Sequence, residues 1–173
     1  MNRFVTLTAS TLSVVLTLAL SAGNAVGETL KDLIGTWQYV SVTVDQGGNK
    51  IEPFGSNPTG TMMYDENGRF AIVLVRPGLP KLAADNRMQG TADEYTAIVK
   101  GSLAYFGTYT FNEADRTVSV KVEGSTFPNW TGTEQKRTIS ISGDQMTLTN
   151  PTASGGGAAT VILKRVKLTP RQI

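Results

Sequence analysis

The chain of 173 residues contains no cysteine and no histidine. The first absence removes disulfides, thiol nucleophiles and thiolate metal ligands, so stability has to come from packing. The second removes the imidazole base of Ser-His-Asp and Cys-His catalysis and the commonest zinc ligand. The acidic residues show no spacing that suggests a calcium loop, and neither a phosphate-binding loop nor a dinucleotide-binding glycine pattern is present. No metal and no cofactor is therefore expected. Charge is also scarce, at 17% of residues. Any chemistry would rest on Tyr, Arg, Lys, Asp and Glu.

Hydrophobic residues make up 40% of the chain, enough for one domain with a core, and 18 glycines and 7 prolines are spread along it. Long helix-like runs are few. The combination points to an all-β protein with many turns.

The first 25 residues differ from the rest. "MNRFVTLTASTLSVVLTLALSAGNA" has one positive charge at Arg3, an apolar stretch to Leu20, and small residues at Gly23 and Ala25. This reads as a signal peptide, residues 1–25, cleaved after Ala25. A retained membrane anchor is the competing reading, against a short apolar region interrupted by Thr and Ser. No cysteine follows, so lipoprotein processing is excluded. The expectation is an exported protein, periplasmic or secreted, with no stable membrane insertion after cleavage. Without Arg3 the balance is 15 basic against 14 acidic residues, a net +1. Such a charge gives no reason to propose nucleic acid or an anionic membrane as partner, and the oligomeric state stays open.

From Leu33 onward, alternating runs end in turns rich in Gly, Asn or Asp. "TGTMMY", "DENG" and "RFAIVLVRP" form one hairpin signature, "AYFGTYTF", "NEADR" and "TVSVKVEG" a second, and "KRTISIS", "GD" and "QMTLTN" a third. "ATVILKRVK" closes the series. About eight strands at this spacing predict an antiparallel up-and-down barrel or a sandwich. After the third strand, the region from Pro77 to Val99 has weak β character. There "TADEYTAIVK" carries a helix capping pattern, Thr91 with Glu94, and the segment reads as a loop and short helix. It could be a lid over one end or a plug within it.

Strand alternation assigns faces. Arg137 and Gln135 fall in line with Ile139 and Ile141, and Tyr105, Gly107, Tyr109 and Phe111 share a face. Val118, Val120 and Val122 point inward, and Val161, Leu163 and Arg165 lie together. Trp37 shares its face with Tyr39, Ser41 and Thr43, which leaves Val40, Val42 and Val44 outside. A buried, unpaired Arg137 would cost several kcal/mol, roughly, so it calls for a carboxylate, a wet cavity, an anionic ligand or a route to solvent at the strand end. The loop "GSTFPNWTG" carries Phe127 and Trp130 where polar residues would serve, as a lip over a cavity or a cap sealing it.

"GTW" at Gly35–Trp37 resembles the Gly-x-Trp signature that opens the first strand of lipocalins, with "TLKDL" ahead of it as a short helical turn. "GTWQYVSV", "NGRFAIVLVRP", "AYFGTYTF" and "GSTFPNW" extend the resemblance to a bacterial lipocalin-like domain over about residues 30–167. The chain lacks the Thr-Asp-Tyr loop motif and the disulfide of classical lipocalins, and carries the helical insertion. The resemblance implies a lipocalin-like barrel of about eight strands. It also implies that Arg165 packs across Trp37 in a cation–π contact, making Gly35, Trp37 and Arg165 closure residues at the barrel floor. The ligand end should lie opposite. The candidate ligand-binding residues are Tyr39, Ser41, Thr43, Arg76, Tyr105, Tyr109, Phe127, Trp130 and Arg137.

Three functional readings follow. The first is an exported binding module that holds a small, mainly apolar or amphipathic molecule, with an acidic group as an option the arginines allow. The second is a cofactor-independent isomerase or cyclase, with Tyr105, Tyr109 or Asp85 as acid or base; no residue pair has a spacing that demands catalysis. The third is a filled barrel whose outer valines meet a partner protein.

Overall fold

A computed structural model of the protein describes residues 29–167. The segment read as a signal peptide lies outside them. A four-residue helix, α1 (Leu30–Leu33), leads into β1 (Gly35–Gln46), followed by β2 (Asn49–Ile51), β3 (Thr59–Tyr64) and β4 (Arg69–Val75). Then come α2 (Ala92–Gly101), β5 (Ser102–Asn112), β6 (Thr117–Ser125), a single 3-10 turn at Pro128–Trp130, β7 (Glu134–Ser142), β8 (Gln145–Asn150) and β9 (Ala158–Arg165). The strands are antiparallel in the order β2-β1-β3-β4-β5-β6-β7-β8-β9, and β1 pairs again with β9. That second pairing closes the sheet. Eight strands, β1 and β3 to β9, form a closed lipocalin-like barrel, and β2 extends β1 at one end.

The three hairpins fall where turn chemistry places them. In β3–β4 the Asp65 side chain receives the backbone N–H groups of Asn67 and Arg69 at 2.9 and 2.7 Å, and Gly68 takes a φ of +76°. β7 and β8 are joined by two residues, Gly143 and Asp144. The helix α2 follows the fourth strand in chain order rather than the third. The difference is β2, a three-residue pairing behind Gly47-Gly48 that is too short to show an alternation. Among the barrel strands α2 still follows the third.

One bulge rearranges a face. The β1–β9 pairing steps from Tyr39–Leu163 to Ser41–Ile162, leaving Val40 as an extra residue. Before it Trp37 and Tyr39 point inward; after it Val42 and Val44 do, both 4% exposed. The expectation that Ser41 and Thr43 share the inner face and that Val42 and Val44 lie outside is therefore corrected. Of the three valines only Val40, 48% exposed, faces solvent. The other inward rows, from β5, β6, β7 and β9, fall as the alternation assigns them.

The closed end is built on α1 and Trp37. Thr29 caps α1 through a bond from its backbone N–H to Asp32 at 2.8 Å, and that bond holds the Asp32 carboxyl below its ordinary value. Leu33 and Trp37 are fully buried, and the Trp37 indole N–H donates to the Leu33 carbonyl at 2.9 Å. The Arg165 guanidinium stacks 4.1 Å from the indole and donates to the carbonyl of Ile34 at 3.0 Å. Gly35 has a φ of +134°, and a Cβ there would come within 3.1 Å of the Arg165 guanidinium, so the position suits glycine alone.

Candidate functional site

The barrel is solid at this end and hollow at the other. Tyr64, Phe70, Tyr109, Ile139, Met146 and Leu163 belong to the packed core of the lower half and do not line the cavity above. Above them lies a cavity of about 330 Å³, open toward the end where β2, α2 and the 125–133 loop gather. Its wall comes from alternate inward residues: Tyr39, Val42 and Val44 of β1, Met62 of β3, Ile72 and Leu74 of β4, Leu103 and Tyr105 of β5, Arg137 of β7, Leu148 of β8 and Val161 of β9. The bulge at Val40 is what supplies Val42 and Val44 to this wall. No Asp or Glu is among the lining residues.

The mouth has three components. Phe127 and Trp130 flank the 3-10 turn, which is fixed by bonds from Trp130 N–H to the Phe127 carbonyl at 3.0 Å and from the Thr133 hydroxyl to the Trp130 carbonyl at 2.7 Å. Phe127 meets Trp130 edge-on at 5.7 Å and Trp130 meets Tyr105 edge-on at 5.1 Å, so an aromatic wall runs from lip to interior. Phe54, on the segment between β2 and β3, is the second component. It is 8% exposed and lines the cavity. The third is α2, whose Val99 and Lys100 border the opening. Only Gly101 of this helix is buried, so α2 lies across the mouth rather than inside the barrel as a plug. Its Thr91–Glu94 capping box is present, with Glu94 also receiving Ala83 N–H at 2.8 Å, and Tyr95 bonds Gly90 and Arg87 of the preceding loop.

A buried polar cluster on the cavity wall is centred on Arg137. This side chain is 2% exposed. Its Nη2 donates to Gln135 at 2.7 Å and to the Tyr105 hydroxyl at 3.3 Å, and its guanidinium stands 5.6 Å from the Tyr105 ring. Its Nη1 is buried without a partner, and so is the hydroxyl of Tyr64 just below. The Tyr39 hydroxyl, on the cavity wall, has no bond from or to any described residue. Burial pushes the Tyr39 and Tyr64 phenols up, with the nearby Arg137 charge opposing, so both stay protonated donors at neutral pH. Among the described residues no carboxylate pairs with Arg137.

The structure gathers Tyr39, Tyr105, Phe127, Trp130 and Arg137 around one cavity. Ser41 is turned away by the bulge. Tyr109 lies in the solid half, where its hydroxyl donates to the Asp65 carbonyl at 2.6 Å and its ring packs edge-on against Tyr64 at 4.8 Å. Its inward parity was legible; its depth below the cavity was not. Arg76 is exposed at the end of β4, outside the lining, and donates through Nε to the Pro53 carbonyl at 3.1 Å, which ties down the turn carrying Phe54. Asp85 is exposed in the 77–90 loop, so the three acid–base candidates are not brought together. Phe54 and Tyr64 were missed. The signal for Phe54 was an aromatic set between Pro53 and Gly55 in a turn; Tyr64 closes an alternating run with Met62.

Fold and site define a closed antiparallel barrel with an internal, mainly apolar chamber opening at one end. Residues 34–166 match the lipocalin-like domain family, and the chain belongs to it. No curated protein matches the chain. Among solved structures it is similar to a lipocalin-like protein from Bacteroides uniformis, 13% identical, covering 78% of this chain and 99% of that one with a TM-score of 0.44. It is also similar to a variant of the fluorescent protein UnaG, 9% identical, covering 81% of this chain and 100% of that one with a TM-score of 0.39.

Proposed function

We propose that the protein binds a small, mainly apolar molecule inside the barrel, with an acidic group on that molecule as the finer part of the reading. The observation that carries it is the chamber itself: about 330 Å³, walled by Val, Leu, Ile, Met and aromatic side chains and left open above a solid floor. Pockets of this size and lining are where small ligands are held. An interior left hollow gives up packing contacts, and an empty apolar cavity costs stability in proportion to its volume. The reading includes export of the mature protein, supported by the pattern of residues 1–25.

The test is native mass spectrometry of the protein purified from its own host, followed by extraction and identification of what it carries. A small molecule at one equivalent is the expected result, and the N-terminus of the same sample reports cleavage after Ala25. An empty protein that also fails to take up a neutral apolar reporter, N-phenyl-1-naphthylamine, would overturn the reading.

A further inference from the structure

Arg137 poses a problem of charge that the protein alone does not solve. The side chain is 98% removed from solvent, its Nη1 has no acceptor, and no carboxylate among the described residues faces it. Its two bonded neighbours, Gln135 and Tyr105, are neutral and both use Nη2. An uncompensated guanidinium in such a place is strongly unfavourable, and replacing one with an apolar side chain is often neutral or stabilising. The residue nevertheless borders the cavity, next to two phenols with protons to give. The Tyr105 hydroxyl accepts from Arg137 and keeps its own hydrogen free, and the Tyr39 hydroxyl is unengaged.

Resting on the binding reading above, we infer that the chamber selects monoanionic carboxylates, entering head first, with the carboxylate received by the Arg137 guanidinium and the hydroxyls of Tyr39 and Tyr105. The charge count decides the class. Arg137 is the one buried cation of the lining, Lys100 standing exposed at the opening, and no acid lines the cavity, so one negative charge neutralises the inner wall. A carboxylate offers two oxygens and about four lone-pair sites for three donors. A phosphate monoester carries about 1.5 to 2 negative charges near neutral pH and would leave surplus charge in an apolar chamber. The polar cluster decides the orientation. It lies on the cavity's inner wall, whereas Phe54, Leu103, Val99 and Phe127 line the way out beside the exposed Lys100, so the apolar body trails toward the mouth.

The experiment is displacement of N-phenyl-1-naphthylamine from the purified protein by matched compounds: dodecanoate, methyl dodecanoate and dodecyl phosphate, and 2-naphthoate with its methyl ester. At least one acid is expected to displace the reporter at a concentration tenfold or more below its own ester, and dodecyl phosphate to trail dodecanoate. Arg137→Met should abolish the difference by weakening the acid and leaving the ester unchanged. Tyr39→Phe, which removes one oxygen, should narrow it severalfold and serves as the readout should Arg137→Met fail to fold. Acid and ester displacing equally in the wild type would overturn the inference together with the acidic group of the reading above, and phosphate matching carboxylate would overturn the inference alone; binding of an apolar molecule stands in either case. A reporter that does not enter protein purified empty from its own host would overturn both.

Discussion

Gly35, Trp37 and Arg165 act as one unit, and single substitutions should show it. A side chain at Gly35 meets a φ of +134° and the Arg165 guanidinium at 3.1 Å together. Gly35→Ala is therefore expected to cost about 1–3 kcal/mol of unfolding free energy, the range for a non-glycine residue in a strained region. Urea denaturation checks it; a loss below a few tenths of a kcal/mol would mean that the floor yields easily. The pairing of Trp37 with Arg165 was readable from the resemblance, since both residues sit in recognisable motifs. Arg137 was readable from alternation alone, because its neighbours Ile139 and Ile141 fix the face. Its missing partner was not, because whether a carboxylate reaches a given guanidinium depends on strands far apart in sequence.

Among the elements, β1 shows what limits a reading by parity. Its twelve residues alternate cleanly through "VSVTV", yet the extra residue at Val40 moves Ser41 and Thr43 off the face of Trp37 and puts Val42 and Val44 on it. Nothing local announces the bulge, which is a property of the pairing with β9. The barrel strands and their hairpins were legible because each turn carries its own chemistry. The segment from Ile51 to Thr59 was not, because what fixes it is long-range: Phe54 packs into the core, and Arg76 donates to the Pro53 carbonyl. That contact yields a prediction at the same scale. Arg76→Ala should release the Phe54 turn and raise the dissociation rate of bound N-phenyl-1-naphthylamine in stopped flow. Stability should shift by no more than about 0.5 kcal/mol, as for an exposed side chain. Unchanged exchange would show that ligands leave by another route.

For the molecule as a whole, the titrating groups set a simple dependence on acidity. Bonds from Thr29 lower the Asp32 carboxyl, bonds from Thr91 and Ala83 lower Glu94, and Lys167 at 2.7 Å lowers Asp144. A carboxyl held below its ordinary value stabilises the fold fully above that value and loses the contribution as pH falls through the lowered one. With ordinary values of 3.8 for the two Asp and 4.5 for Glu94, stability should decline below about pH 4. Between about pH 5 and 8 it should stay flat, because no histidine titrates there. Urea midpoints across pH 2–8 test this, and a slope near pH 6 would contradict it.

The division of the barrel also gives it two built-in optical reporters. Its two tryptophans occupy opposite halves: Trp37 is sealed in the floor under a guanidinium, while Trp130 stands partly exposed at the lip of the chamber. Emission from the first follows the integrity of the packed end, and emission from the second follows what enters or leaves the open end. Trp130→Phe keeps the one signal and Trp37→Phe the other. Unfolding and occupancy can thus be followed separately, without a label, one in each variant.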